Sequence, residues 1–150
     1  MDLRSLLPQL LPAAIAWANA QAEHVAQVGQ PLTPPLIDIA RRVGVKEPER
    51  IRVLLVDQLP LPEDAVLREV AIQEGLLGPS MAGLTLGHSI FIVHGNCTLR
   101  LVSHECRHVH QYEVVGSIEA FLPIYLGQII EYKYEDAPLE VDARNYEIVN

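Results

Sequence analysis

Apolar side chains recur with a helical period through the first part of the chain. The spacing predicts a helix from about Pro12 to Val28 that ends at Gly29, because glycine commonly follows the last turn of a helix. A second helix is predicted from Pro34 to about Gly44, since proline suits a first helical turn, where its missing N–H has no partner to lose. The N-terminal part, to about residue 45, is therefore predicted to be helical.

The middle of the chain changes to a pattern that is typical of strands. Ile51–Val56 is an apolar run with β-branched residues, and His88–His94 alternates and is rich in Ile and Val, so each predicts a strand. Ala65–Gln73 fits a short helix or a strand, and we favour a strand for its second half. A turn is predicted at 58–62 and a loop at Gly75–Gly83, where glycine and proline recur.

Helical spacing returns after residue 98. The pattern predicts one helix that ends near Val115, a second over about Ser117–Tyr132 and a third from Pro138, with a polar linker at Tyr132–Asp136. Helices at both ends of a small central sheet, at about 50–95, indicate an α+β fold. The length of 150 residues predicts a single domain over 1–150, whose last part, about 98–148, carries these C-terminal helices.

The apolar stretch Leu6–Ala20 admits two interpretations. Small residues at 18–20 resemble the cleavage site of a secretory signal. However, the charges of Asp2 and Arg4 cancel, so the stretch lacks the positively charged start of such a signal, and Pro8 and Pro12 interrupt it. We therefore favour a structural helix and a cytoplasmic protein, with export as the alternative. No run reaches the roughly 18 apolar residues that a membrane-spanning helix needs.

Composition limits the partners. Hydrophobic residues make up 49% of the chain and charged residues 20%, which indicates a folded protein. A formal net charge of −8 argues against binding to nucleic acid or to an anionic membrane, whereas the oligomeric state stays open. Two cysteines, Cys97 and Cys106, are few for a secreted domain, so we expect reduced thiols.

One short motif indicates a chemistry. His104 and His108 are four residues apart, so on a helix they share one face and can bind the same Zn²⁺ ion. Glu105 lies about 100° round the helix from His104, beside that face, where a general base for an activated water belongs. This H-E-x-x-H arrangement predicts a zinc hydrolase.

A zinc hydrolase site normally has three protein ligands and one open position, so a third ligand must come from elsewhere. His110 lies about 200° round the helix from His108 and cannot reach the same ion. Glu140, on the first turn of the last helix, is the favoured third ligand, and the small Ala143 one turn later allows close packing. Asp142 is the alternative, although the helix dipole alone also favours acids in a first turn.

The motifs resemble those of a known class. His104-Glu105-x-x-His108-x-x-Gln111, followed by Glu140-x-x-Ala143, resembles the gluzincin-type zinc metallopeptidases, and most closely the small bacterial HExxHxxQ domains of unknown function, including those in toxin and contractile-injection contexts. The resemblance covers about residues 80–148, where Gly83–Ile90 is similar to the sheet-edge segment before the active helix. It implies a zincin-like minimal metallopeptidase fold, zinc bound by the two histidines and Glu140, and Glu105 as the base.

The chain departs from a related pattern of this class, in which an Asp directly after the Ala supports a histidine ligand. Arg144 stands at that position here. Asp142, Gln111 or a backbone carbonyl could orient the imidazoles instead. Arg144 itself is a candidate to bind a substrate carboxylate or the oxyanion, although we favour an ion pair with Asp142 or Glu140.

Further polar residues are candidates for supporting roles. A tyrosine hydroxyl can donate a hydrogen bond to the tetrahedral intermediate of acyl transfer. The candidates for that role are Tyr112, Tyr132, Tyr134 and Tyr146. His88 and His94 share one face of a predicted strand, where they could form a minor metal site or simply mark the polar ends of an edge strand.

Three functions are consistent with the sequence. The favoured one is a zinc metallopeptidase that cleaves peptide or protein substrates with a zinc-activated water. A catalytically silent zinc-binding domain with an interaction or regulatory role is the first alternative. The second is a zinc amidohydrolase that acts on an acyl or amide bond other than a peptide. The sequence does not identify the substrate.

Overall fold

The computed structural model describes residues 2–150 and has the α+β architecture that the sequence predicts. Within these residues, six α-helices pack around a mixed sheet of four strands. The helices are α1 (Leu3–Val28), α2 (Pro34–Arg42), α3 (Ala65–Gln73), α4 (Leu99–Val115), α5 (Ile118–Asp136) and α6 (Pro138–Asn145). The strands are β1 (Gln30–Pro31), β2 (Arg52–Val56), β3 (Gly83–Leu86) and β4 (Ser89–Val93).

The sheet has the strand order β1-β2-β4-β3, which leaves β3 at one edge. β2 and β4 are parallel and pair Val53 with Ile90, whereas β1 and β3 each run antiparallel to their neighbour. A two-residue turn joins β3 to β4, and Gly87 there adopts a φ of 67°, which glycine tolerates without strain. The segment Gly83–Ile90 therefore contains an edge strand and its hairpin turn.

The two faces of the sheet are covered by different helices. Alternate residues of a strand point to opposite faces. Ile90 and Ile92 of β4 accordingly pack with α2 and α4, whereas Phe91 packs with α1, α3 and α5. Helix α4 contributes Val109 to the first cluster and Tyr112 to the second, and nine of its 17 residues are buried. α4 is therefore a core helix, and its polar residues lie inside the protein.

The predicted start of the first helix is wrong. α1 begins at Leu3 and not near Pro12, because the Asp2 side chain accepts a hydrogen bond from the Arg4 N–H and so caps the helix. The helix then continues through Pro8 and Pro12 to the predicted end at Val28.

The predicted strand in the second half of Ala65–Gln73 is also wrong, since the whole segment is helix α3. Asp64 caps it by accepting a hydrogen bond from the Leu67 N–H at 2.9 Å. Leu67 and Ala71, four residues apart, are both buried on the core side. The helical period at these two positions outweighs the β-branched residues around them.

The backbone breaks at Lys133, inside the predicted linker Tyr132–Asp136. Lys133 has φ 66° and ψ 165°, a conformation that residues other than glycine rarely adopt. The break ends the regular part of α5 and turns the chain back, so that α6 packs against both α4 and α5. The ligand candidate Glu140 thereby faces the histidines of α4.

Glu113 of α4 fixes the connection between α2 and β2. Its carboxylate accepts hydrogen bonds from the backbone N–H groups of Lys46 and Glu47 at 2.8 and 3.0 Å, and from His88 Nε2 at 2.9 Å. Burial alone would raise the pKa of Glu113, but these three donors outweigh it and lower the pKa. Glu47, His88 and Glu113 could together hold a cation, but these donors already occupy both Glu113 oxygens.

We expect Glu113→Gln to lower the free energy of unfolding at pH 7 by about 1–3 kcal/mol, because it removes charge-assisted hydrogen bonds. A lowered folded-state pKa means that this stabilisation is complete above the ordinary carboxyl pKa of 4.5 and is lost as the pH falls through the folded-state pKa. Urea denaturation at pH 7 and pH 3 should therefore show a difference that shrinks at acidic pH. The exposed Glu135→Gln variant serves as the control, and an equal difference at both pH values would contradict the assignment.

Among residues 2–150, no single helix is long and apolar enough to cross a membrane. α4 and α5 reach the required length and hydropathy only when they are taken together, and a bend of 118° separates them.

Candidate metal centre

The motif lies in the middle of helix α4. Thr98 caps this helix by accepting a hydrogen bond from the Leu101 N–H at 3.2 Å, so the helix begins early enough for the motif to be fully helical. His104, Glu105 and His108 are 8%, 5% and 7% exposed. Three buried polar side chains of this kind cost stability unless other groups pair with them, so their partners determine what the site can do.

Glu140 of α6 is the acid that meets the two histidines. Its side chain is 3% exposed, and its two oxygens lie 3.2 Å from His104 Nε2 and 3.1 Å from His108 Nε2. The ligand atoms of these three residues all lie within 4.8 Å of one another. This buried group can therefore hold a metal ion.

Asp142, the alternative ligand, points elsewhere. Its carboxylate accepts hydrogen bonds from Arg107 Nε at 2.8 Å and from Gln111 Nε2 at 2.9 Å. The reason is geometric, because Asp142 lies about 200° round α6 from Glu140. It supports Gln111 and does not join the cluster of potential ligands.

Each histidine is oriented through its second ring nitrogen. His108 Nδ1 lies 2.8 Å from Gln111 Oε1, and His104 Nδ1 lies 2.8 Å from Glu147 Oε2. Both partners are acceptors in this arrangement, since Gln111 uses its Nε2 to donate to the Leu139 carbonyl and to Asp142. Each Nδ1 must then carry a proton, so each histidine presents its Nε2 to Glu140. A metal ion would bind at these two Nε2 atoms and would replace the protons that they otherwise donate to Glu140.

The charges at the site also suit a cation. Burial alone would lower the pKa of both imidazoles, but the Glu140 carboxylate acts against it and raises the pKa of His108 to about 9. The pKa of His104 is raised too, and the pKa of Glu140 is held far below its usual range by the two histidines, against the effect of burial. Glu140 thus needs positive charge beside it. A divalent cation would supply that charge in place of two protons.

Glu105 is held beside this cluster by strand β3. The Thr85 hydroxyl lies 2.8 Å from Glu105 Oε1 and donates to it. At Gly83, an added Cβ would lie 2.9 Å from Glu105 Oε2, so a larger residue there would force the carboxylate to shift. Neither residue belongs to the predicted site, because nothing in the sequence pairs a threonine of one element with an acid twenty residues later.

A cavity of about 70 Å³ adjoins the cluster and includes Glu105, His108 and Glu140 in its walls. Two tyrosines of α5 also line it. The Tyr125 hydroxyl donates to Glu140 Oε2 at 2.7 Å, and its position was not predicted. Tyr134 lines the same cavity, and burial together with the nearby carboxylates of Glu140 and Glu105 raises the pKa of its hydroxyl.

The other candidate tyrosines differ in position. Tyr112 lines the same cavity, but its ring is stacked on Phe121 with centroids 3.8 Å apart and is buried in the core. Tyr146 lies outside the cavity, under the Arg107 guanidinium at 3.6 Å from the ring centroid. Tyr132 is half exposed. Tyr134 is therefore the candidate whose surroundings best fit a hydrogen-bond donor to substrate.

The expected ion pair of Arg144 is not formed. Arg144 donates instead to the backbone carbonyl of Glu135, because Asp142 is already paired with Arg107 and Glu140 with the histidines. His110 Nδ1 lies 2.9 Å from the Gly44 carbonyl, away from the cluster.

The other histidines proposed as metal ligands, and the two cysteines, do not belong to the cluster of His104, His108 and Glu140. His88 meets Glu113, whereas His94 lies 3.7 Å from Asp57, so these two histidines have different partners. Both cysteines are free, as predicted, and burial raises the pKa of Cys106 to about 12, so its thiol is protonated at neutral pH.

Glu147 orients His104, although the sequence offered only Asp142, Gln111 or a backbone carbonyl for this role. No spacing rule identifies Glu147, because it lies beyond the end of α6. We expect Glu147→Ala to weaken zinc affinity by about 10–100-fold, since His104 loses the partner that fixes its ring and tautomer. Competition with a chelating dye measures the effect. Glu147→Gln retains an acceptor oxygen and should keep most of the affinity, so equal losses in the two variants would contradict this role.

Comparison with known proteins gives no match, since neither a family model nor a curated protein nor a solved structure is similar to this chain.

Proposed function

We propose that this protein is a zinc-dependent hydrolase and, most specifically, a metallopeptidase of the gluzincin type. The observation that carries the proposal is the buried cluster of His104, His108 and Glu140, with the Glu105 carboxylate held beside it. Two imidazoles and one carboxylate are the ligands of zinc peptidases that keep one coordination position open. A structural zinc site would instead be closed by a fourth protein ligand.

Zinc fits this donor set better than magnesium or calcium does. Two neutral imidazole nitrogens and a carboxylate suit it, whereas magnesium and calcium prefer oxygen ligands alone. When bound, zinc supplies a Lewis acid that polarises a carbonyl oxygen and makes water acidic near neutral pH. The residues that would hold it are the three of the cluster, with Gln111 and Glu147 keeping the imidazoles in their binding tautomer.

The chain itself supplies proton transfer and positioning. Glu105 accepts a proton from the attacking water and then delivers it to the departing amine, as a general base and then a general acid. Thr85 restricts the carboxylate to one orientation through its 2.8 Å hydrogen bond, which reduces the cost of ordering it during the reaction. Tyr134 donates a hydrogen bond to the oxygen that gains negative charge.

A peptide is the preferred substrate class because of the sheet. β3 is an edge strand, and it carries both Gly83 and Thr85, which contact Glu105. An extended peptide can add to such an edge through its main chain, which would bring its carbonyl groups to the catalytic residues. A small amide without an extended backbone cannot form these main-chain hydrogen bonds with β3.

One observation favours the catalytically silent alternative. The cavity beside the cluster is only about 70 Å³, which is small for a substrate. A domain that binds a metal ion and cleaves no substrate is therefore the competing function. The zinc amidohydrolase alternative shares the metal centre and differs only in the bond that is cleaved.

The test is to load the purified protein with one equivalent of zinc and to assay it against a quenched fluorescent peptide library and a panel of small amides. We expect peptide cleavage that disappears with a zinc chelator and returns when zinc is restored. Cleavage of the small amides alone would favour the amidohydrolase. Zinc binding without turnover in either assay would favour the silent domain.

A further inference from the structure

A second cavity, of about 120 Å³, lies between α1, α3, α5 and the edge strand β3. Twenty residues line it, and most of them are leucine, isoleucine, valine or alanine. Trp17, the single tryptophan of the chain, is among them. Protein interiors are close-packed and contain few voids larger than one water molecule, so an apolar space of this size calls for an occupant.

The cavity adjoins the candidate metal centre. Five residues line both this cavity and the one beside the cluster: Leu76, Leu84, Leu86, Leu122 and Tyr125. Tyr125 links the two directly, because its ring forms part of the apolar wall and its hydroxyl donates to Glu140 at 2.7 Å. A group in the apolar cavity is therefore within one side chain of the metal ligands.

We propose that this cavity, termed the apolar pocket, binds an uncharged aliphatic or aromatic side chain of the peptide substrate, next to the bond that is cleaved. The inference rests on the proposed peptidase function and adds its specificity. The size supports it, because an apolar cavity of roughly 150 Å³ in another protein stays dry and accepts benzene, which is comparable to the side chain of Phe or Leu. A longer acyl chain would exceed about 120 Å³.

The charges around the apolar pocket argue against an ionised occupant. Glu74 is the charged residue among the lining residues of the described chain, and its buried Oε1 makes no hydrogen bond. Lys133 Nζ lies 3.7 Å from that oxygen, so the carboxylate already has a cation beside it. An acidic side chain would be repelled by Glu74, and a basic one would have to displace Lys133.

The experiment uses Trp17 as a reporter that does not depend on turnover. Zinc-loaded protein with the Glu105→Gln substitution is titrated with short peptides that differ at one residue, which is Gly, Ala, Leu, Phe or Lys. We expect the Leu and Phe peptides to shift Trp17 emission and to bind at least about tenfold more tightly than the Ala peptide, because each methylene in an apolar pocket is worth a factor of that order. Equal affinities without an emission change, or a preference for Lys, would overturn the proposal.

A matched pair of variants on α3 tests the location. Ala71 is buried and lines the apolar pocket, whereas Ala65 is exposed on the same helix. Ala71→Leu should fill the pocket and reduce the preference for Leu over Ala peptides by at least about tenfold. Ala65→Leu should leave that preference unchanged. An unchanged preference in folded Ala71→Leu protein would contradict the assignment, and the titration above remains decisive if that variant does not fold.

The two proposals fail in different ways. If the wild-type protein cleaves peptides without any preference for an apolar residue and Trp17 does not respond, the pocket inference is wrong and the peptidase proposal stands. If Leu and Phe peptides shift Trp17 emission but the wild-type protein with zinc cleaves none of them, the pocket inference stands as a binding site and the peptidase proposal is wrong.

Discussion

Replacing His104, His108 or Glu140 by alanine should abolish stoichiometric zinc binding, whereas the wild-type protein should bind one equivalent per chain. The nitrogen and oxygen atoms of these residues converge within 4.8 Å, and each variant removes one of only three donors. The loss should exceed the roughly 10–100-fold typical of residues that merely support a ligand. Metal analysis after dialysis against metal-free buffer, together with competition against a chelating dye, gives the measurement.

Asp142→Ala is the matched control for the third ligand. It removes a carboxylate two residues from Glu140 on the same helix, but one that contacts Arg107 and Gln111. We expect Asp142→Ala to keep one equivalent of zinc with a modest change in activity. If Asp142→Ala lost the metal while Glu140→Ala retained it, the assignment of ligands would have to be reversed.

Glu105→Gln should reduce peptide cleavage by about 10²–10⁴-fold while the protein keeps its zinc, because the amide cannot accept a proton from water. The substitution preserves shape, and the Gln carbonyl oxygen can still accept the Thr85 hydrogen bond, so the fold should be unaffected. Steady-state kinetics beside zinc analysis provides the test. The drop should appear mainly in kcat, since Glu105 acts in the chemical step.

Glu135→Gln makes the same chemical change at an exposed position and should leave kcat unchanged. A Glu105→Gln protein that retains both zinc and full activity would exclude Glu105 as the base. A wild-type protein that binds zinc but cleaves nothing would favour the silent domain instead.

The sequence predicted those parts of the structure that depend on local spacing. The pair at i and i+4, the helix that carries it and the helix that begins at Pro138 follow from periodicity and from proline at a first turn. The direction of Asp142 away from the cluster follows from the same helix geometry, because residues 140 and 142 differ by about 200° around the helix axis. Because the backbone fixes helix geometry, sequence spacing alone is sufficient to predict which residues share one face of a helix.

Contacts between distant elements could not be predicted. Glu147, Tyr125 and Thr85 reach the motif from a C-terminal segment, from α5 and from β3, and none has a sequence spacing that relates it to His104. They depend on how the hairpin at Gly87 and the break at Lys133 direct the chain. A single sequence contains no signal for such packing directions.

The strand predicted in Ala65–Gln73 was wrong for a related reason. Both interpretations fit the local pattern. The helix is stabilised by the cap at Asp64 and by burial of Leu67 and Ala71 in the core cluster that also contains residues of α1. Tertiary packing commonly overrides the weak preference of β-branched residues for strands.

The shortness of α6 would couple the proposed binding of zinc to local stability. At eight residues it is shorter than the 12–15 at which isolated helices become even marginally stable, so α6 persists only through its docking on α4 and α5. Among its anchors is a buried carboxylate, Glu140, that requires positive charge nearby. Removal of the metal should therefore let α6 open while the sheet stays folded, and amide hydrogen exchange would then accelerate in 138–147 before it does in β2 and β4.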